Sequence, residues 1–252
     1  VFKDSLLTTT LNTEAAKIEI LISTMNRTST DFLYKMVANI DFSSFNFLII
    51  NQTSEDKLLV AKENNVRVIN SFEKGLAKSR NLAINNAQGD ICLFADDDVS
   101  YFSDLKEIIL EAFSKRKEAD IITFQMVDEK GSLFKDYPNI EYHDKKTLYL
   151  VNSVVIAFKR DSLLKNNIRF NEHFGLGSTF ETADEYVFLR NALKGNLNIY
   201  FEPKVILEHP YESSGKAEGS DKLIFARAAL FYKYSGVLSY LRLCKHLYLV
   251  YR

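Results

Sequence analysis

Residues 91–100 read ICLFADDDVS: five residues fit for a protein interior, then three adjacent carboxylates. The run at 91–95 is short and continuously apolar, as expected of a strand covered on both faces. Asp96, Asp97 and Asp98 stand at its mouth. Two unit charges about 4 Å apart repel by roughly 4 kcal/mol at an effective dielectric near 20. Such a cluster beside a core is costly unless something neutralises it. Carboxylate oxygens suit Mg²⁺ or Mn²⁺, which take one or two of them and complete their shell with water and substrate phosphates. The alternative is a solvated acidic loop that caps the next helix.

Working outward, further apolar runs occur at 18–23 (IEILIS), 45–50 (FNFLII), 66–69 (VRVI) and 120–124 (DIITF). Helical spacing lies between them and is clearest at 104–115, where Leu105, Ile108, Ile109, Ala112 and Phe113 form one stripe. Ser103 suits its N-cap and Asp104 its first turn. This alternation predicts an α/β fold, a mostly parallel central sheet flanked by helices. Ligands of such sheets gather at the carboxyl ends of the strands, where the three aspartates fall. After residue 125 the pattern loosens. DEKGS (128–132) reads as a turn, and 152–158, 197–201 and 204–207 read as strands. Residues 171–195 run from a glycine-bearing loop into a helix.

The chain has 252 residues, enough for one large domain or two small ones. A formal charge of −1 argues against nucleic acid as a partner. Cys92 and Cys244 form no disulfide framework, which points to a reducing, cytoplasmic compartment. Residues 1–17 form a lead-in without the apolar stretch of a secretory leader, and a start at Val1 suits a piece of a longer protein. No stretch approaches the roughly 20 apolar residues of a membrane span.

Residues 75–99, GLAKSRNLAINNAQGDICLFADDDV, resemble the central signature of family 2 glycosyltransferases, which have the GT-A (Rossmann-like) fold. There a helix with an Arg-Asn pair leads through a Gly-Asp turn into a strand ending in a DxD-type motif. IEILISTMNR (18–27) resembles the family's first strand and nucleotide loop. The likeness covers roughly 18–210, with a nucleotide-sugar-binding half (18–125) and an acceptor-binding half (126–210). It implies a nucleotide-sugar donor, Mn²⁺ or Mg²⁺, and inversion at the anomeric carbon. By position, Asp98 matches the metal-binding aspartate, and Asp96 and Asp97 match acids facing the ribose and the hydrated metal. Arg80 matches a basic residue near the nucleotide; a solvated helix charge is the alternative. Ser23 and Thr24 either touch the nucleotide or cap the following helix. Asn51 and Gln52 replace paired aspartates of many relatives; a neutral amide can still bond a pyrimidine edge, and uridine is the expected base. Met25 replaces an aromatic that stacks on the base.

FETADEYVFLRNALKG (180–195) resembles the family's acidic motif at a helix start. Aligning Arg190 and Gly195 puts Asp184 on the aspartate assigned as general base, with Ala183 where a glutamate often stands. Glu185 and Glu181 are the fallbacks, and a mere match to the helix dipole is the structural alternative. His209, just before Pro210, matches the late histidine that completes the metal site in a number of GT-A enzymes, though a loop histidine can equally be structural. His143, His173 and His246 read as surface or packing residues. Residues 211–220 read as a flexible lid. Residues 222–252 carry basic and aromatic side chains and no acid, which predicts a C-terminal helical extension. Its apolar faces suit the catalytic domain, a homodimer contact or an anionic membrane surface.

The sequence therefore leads us to expect a metal-dependent inverting glycosyltransferase, cytoplasmic or peripheral on the inner face of the membrane. It would move a sugar, expected from a UDP-sugar, to a hydroxyl of a glycan or lipid-linked acceptor. Two alternatives remain at this point. One is a haloacid-dehalogenase-type phosphatase with Asp96 as nucleophile and Asp98 as acid. The other is a non-catalytic nucleotide-sugar-binding subunit.

Overall fold

The computed structural model describes residues 15–210 and 220–250. Its elements run β1 (Ile18–Met25), α1 (Asp31–Met36), β2 (Asn46–Gln52), β3 (Val66–Ser71), α2 (Leu76–Asn86), β4 (Ile91–Asp96) and β5 (Ser100–Tyr101). There follow α3 (Leu105–Lys115), β6 (Ile121–Val127), β7 (Ile156–Lys159), α4 (Arg160–Lys165), α5 (Asp184–Lys194) and β8 (Ile199–Glu208). The last two are α6 (Asp221–Ser235) and α7 (Ser239–Val250). The strands form one sheet in the order β3-β2-β1-β4-β7-β6-β8-β5. Pairings β1–β2, β1–β4, β2–β3 and β6–β8 are parallel; β4–β7, β6–β7 and β5–β8 are antiparallel.

β1 has β2 on one side and β4 on the other, so the chain order reverses there and leaves a crevice at the strand ends. Register fills that crevice with polar groups: Ser23 lies beside Asp96, Thr24 beside Asn51, and Met25 beside Gln52. Behind it the central strands are apolar on both faces, and Ile20, Ile22, Ile49, Leu93 and Phe94 are fully buried. Phe94, Phe158, Phe170 and Phe188 form one aromatic cluster with ring centroids 4.2–5.8 Å apart. Each such ring contributes about 1.5–3 kcal/mol by burial. Through Phe188 the cluster holds α5 against the sheet.

Some local expectations shift. Asp104, not Ser103, occupies the N-cap position of α3. The two strands expected at 197–201 and 204–207 are the single strand β8. Its pairing with β6 slips around Pro203, which has no N–H to give the ladder. Of 152–158, only the end is extended, because residues 153–155 form a 3₁₀ turn. The two-residue β5 carries no sequence signal of its own. The turn at 128–132 forms as expected, with Asp128 accepting from the Lys130 and Ser132 amides at 2.9 Å. His143 is a packing residue: its Nε2 lies 2.8 Å from the Thr123 hydroxyl, and burial lowers its pKa to about 4.

α6 buries Leu223 and Leu230, and Leu230 meets Phe174, Ala183 and Val187, whereas α7 has no buried residue. Of the expected lid, only Ser220 is described; its hydroxyl accepts from the Leu223 amide and caps α6. Residues 1–14, the bulk of the lead-in, also lie outside the described residues. Among the described residues, no helix is long and apolar enough to cross a membrane.

Candidate active site

A cavity of about 440 Å³ opens at the carboxyl ends of β4 and β8, lined among others by Arg80, Asp96, Asp98, Asp184, Glu185 and His209. A second cavity, of about 690 Å³, lies on the Arg27 and Asp97 side of the aspartate turn. Asp98 lines both.

Arg80 is the largest fully buried side chain in the protein, 2% exposed. Small neighbours on α2, Ala77, Ser79 and Ala83, let the helix lie close to the sheet and carry the arginine inward. Its guanidinium bonds Asp184, Asp96 (3.1 Å) and the Ser153 hydroxyl (2.7 Å), and lies over the Phe170 ring. A guanidinium without an acid partner could not be kept in such a place. The adjoining Asn81 donates to the Phe170 carbonyl (3.1 Å) and accepts from the Phe170 amide (2.8 Å). The Arg-Asn pair thus ties α2 both to the acids and to the segment that leads into α5.

Asp184 opens α5 and is 5% exposed. Two backbone features set its position. Ala183 sits in the left-handed region at φ +61°. Gly175 (φ +104°) lies so close that an added Cβ would be 3.0 Å from both Cβ and Cγ of Asp184. A Gly175→Ala variant is therefore strained by its own backbone and pushes the carboxylate aside. We expect it to lower transfer at least tenfold while Tm falls by only a few degrees, as kinetics beside calorimetry would measure. Unchanged activity would mean that Asp184 needs no such placement.

Glu185 follows Asp184 into the cavity. Burial, together with the charge of Asp184, pushes its pKa up to about 8, so Glu185 holds a proton at neutral pH. Glu181 is instead paired with Lys222 at 3.3 Å. Of the three acids considered for proton transfer, Asp184 is the one fixed by a buried cation.

The metal candidates are brought together by β5. Its antiparallel pairing with β8, Ser100 beside Glu208, draws the end of β8 up to the aspartate turn. His209 Nε2 then lies 3.8 Å from Asp98 Oδ1. His209 Nδ1 is 2.8 Å from the Pro210 carbonyl oxygen, which can only accept. Nδ1 therefore carries a proton, and Nε2 faces the carboxylate. An imidazole nitrogen and a carboxylate oxygen so placed are both atoms that Mn²⁺ or Mg²⁺ can take as ligands. Burial raises the pKa of Asp98; His209 opposes this, and the charges of Asp96 and Asp97 add to it. Among the described residues no group of three or more His, Cys, Asp or Glu side chains forms a metal cage. An ion here would rely on substrate oxygens and water for its remaining ligands.

The other expected donor contacts lie deeper. Asp97 accepts from the Thr24 hydroxyl and from Arg27 Nε (2.7 Å). Asn51 is wholly buried; its amide bonds the Arg27 amide and carbonyl, both at 3.0 Å, and Asn70 at 2.9 Å. Gln52 donates to the Gly75 carbonyl at 2.9 Å, and Ser23 accepts from the Ser79 hydroxyl at 2.9 Å. Asn51 and Gln52 line neither cavity; they brace the Arg27 loop and the start of α2 from beneath. Met25 is exposed at the end of β1. Ser153 and Asn70 carry no signal in the sequence, whereas Gly175 lies in the glycine-rich FGLGS (174–178), which suits a substrate loop.

Comparisons with known proteins bear on the family and the fold. The family model described as "Glycosyl transferase family 2" matches residues 19–186, from the first residues of β1 into the first turn of α5. A Haemophilus influenzae protein named "Uncharacterized glycosyltransferase" is 26% identical over 191 residues, which cover 70% of this chain and 62% of that one. The crystal structure of S. aureus TarS 1–349 has a TM-score of 0.59 at 16% identity, covering 86% of this chain and 65% of that one. Its complex with UDP-GlcNAc gives 0.58 at 18%, covering 92% and 71%. The chain thus spans less than two thirds of the length of the first two. At these identities the structural likeness speaks to the GT-A-like fold. The phosphatase alternative finds no support here, because the family match takes in the aspartate strand and Asp184 together. With well over half of its length inside that match, the chain belongs to glycosyl transferase family 2.

Proposed function

We propose that this protein is a metal-dependent, inverting glycosyltransferase that moves a sugar from a UDP-sugar to an acceptor hydroxyl. One observation carries the reading: Asp98 Oδ1 and His209 Nε2 lie 3.8 Å apart in the same cavity as Asp184. Support for the donor comes from TarS, whose structures include complexes with UDP-GlcNAc and with UDP.

Asp98 and His209 would hold Mn²⁺ or Mg²⁺. When bound, such an ion neutralises charge that gathers on a departing diphosphate. Asp184 accepts the proton of the acceptor hydroxyl as its oxygen forms a bond to the anomeric carbon. The bond from that carbon to the diphosphate breaks on the opposite side, and the configuration inverts. Arg80 and Gly175 hold the Asp184 carboxylate in place, and Glu185, already protonated, does not compete for the proton. Asp96 and Asp97 act on the donor from the turn. Ser23, Thr24, Asn51 and Gln52 shape the nucleotide loop through the bonds described above.

Isothermal calorimetry of UDP against the full chain, with and without Mn²⁺, tests this reading. We expect at least tenfold tighter binding with the ion. If neither Mn²⁺ nor Mg²⁺ changes UDP affinity, the proposal fails.

The acceptor side includes α7, which leaves Leu241 (71% exposed) and Leu249 (60% exposed) beside Arg242 and Lys245. A helix that is apolar and basic without an acid suits an anionic lipid surface, where a lipid-linked acceptor would be found. Phosphatidylglycerol vesicles should co-sediment the full chain, and Leu241→Glu with Leu249→Glu should release most of it. Equal sedimentation would leave the homodimer as the use of α7.

A further inference from the structure

Next to the catalytic cavity lies a smaller hollow of about 200 Å³ that shares Thr182, Ala183 and Glu185 with it. Its far wall comes from α6 and α7, which contribute Arg227 and Arg242 together with the rings of Phe231 and Tyr234. This juxtaposition is not needed by the donor chemistry above. It also leaves charge unmatched. Arg67, Arg80 and Arg116, each partly or fully buried, are paired with Glu19, Asp184 and Glu202. Among the described residues no acid pairs with Arg227 or Arg242; Arg227 Nε, like those of Arg80 and Arg116, is enclosed without a hydrogen-bond partner, but unlike them Arg227 has no carboxylate on its other nitrogens. The Tyr234 hydroxyl is likewise enclosed and unpartnered. Arg190, which does not line the hollow, lies 4.1 Å over the Tyr234 ring and holds it in place.

Enclosed donors without acceptors mark a place where an anion would be welcome. Glu185, the one acid in the wall, carries its proton and does not oppose one. Arginine forks match phosphate oxygens two at a time, while the aromatic faces offer the apolar surface that a sugar ring lies against. The volume falls below that of a drug-sized pocket, so it admits about one sugar residue with its anionic group. The shared wall at Thr182 and Glu185 sets that residue next to Asp184.

We propose that this hollow is the acceptor subsite and that it takes a phosphate-bearing sugar, its phosphate gripped by Arg227 and Arg242 and its ring lying against Phe231 and Tyr234. The inference rests on the transferase reading above and gives its acceptor a chemical class. A soluble phosphorylated glycan and a lipid-linked sugar present the same group to these arginines.

The test uses the full chain, with UDP affinity in Mn²⁺ measured first and separately. Glucose 6-phosphate, glucose and inorganic phosphate are then titrated against protein saturated with UDP and Mn²⁺. Glucose 6-phosphate should bind at least tenfold tighter than glucose. Arg227→Gln should weaken it by about tenfold or more, the usual worth of a charge-assisted hydrogen bond, with UDP affinity unchanged. Arg242→Gln, on the exposed side of the wall, gives a second reading should the first variant fold poorly. Phosphatidylglycerol vesicles that compete with glucose 6-phosphate would support the subsite with a lipid-borne phosphate. Absence of competition, with binding intact, would support it with a soluble one. Equal binding of glucose and glucose 6-phosphate, or parental affinity in both variants, overturns the inference. Where UDP binds and the sugar phosphate does not, the subsite alone falls. Where the sugar phosphate binds and UDP does not, the donor reading falls and the hollow keeps its ligand.

Discussion

Asp98→Ala is expected to remove the Mn²⁺-dependent gain in UDP affinity and to cut transfer by at least about a thousandfold, a loss of roughly 4 kcal/mol of transition-state stabilisation. Asp98 supplies one of the two protein atoms that face each other across 3.8 Å, and it lines both cavities. His209 alone would be a single ligand with no negative charge to offset that of the ion. The same change should not harm the fold. The carboxylate is half exposed, and burial, against the opposing effect of His209, raises its pKa, so its charged form is disfavoured in the native state. Without metal, thermal denaturation should give a Tm equal to or slightly above that of the parent. A variant that keeps metal-dependent UDP binding would rule out Asp98 as the ligand.

Asp184→Asn should lower turnover by about 10²–10⁴-fold, the usual contribution of a positioned general base, while UDP binding in Mn²⁺ persists. Asparagine keeps an oxygen for Arg80, which also retains Asp96 and Ser153, so this variant should fold. Arg80→Met separates placement from stability. It leaves Asp184 without its cation in a buried site, a loss of about 3–5 kcal/mol. For a domain of this size the Tm should fall by on the order of 10 °C. Single-turnover kinetics and calorimetry on both variants distinguish the roles. An Asp184→Asn enzyme with parental turnover would discard the assignment of the base.

Much of the frame was legible because it depends on local pattern. Residues 91–95 are apolar on both faces, and β4 is central and covered on both; the same logic located β1, β2 and β6. Asp98, Asp184 and His209 were singled out by resemblance to the family's motifs, not by periodicity. What the chain hid was pairing at a distance. Arg80 and Asp184 are 104 positions apart, and nothing in either segment announces their ion pair. β5 is too short for any pattern, yet it brings His209 to Asp98. Asn51 looked like a base-reading amide, but its hydrogen bonds go to Arg27 and Asn70, the latter in register with it on β3. Pro203 broke one strand into two on paper, because the slip that accommodates it is a property of the sheet.

The contact between Gly75 and Gly177 has a mechanical consequence. A Cβ on Gly75 would lie 3.6 Å from the Gly177 carbonyl oxygen, and the Leu76 amide donates to the Leu176 carbonyl at 2.9 Å. The front ends of α2 and of the loop feeding α5 are therefore riveted together, directly across the mouth of the crevice. Any hinge between residues 18–125 and 126–210 would have to break this contact before the two could part.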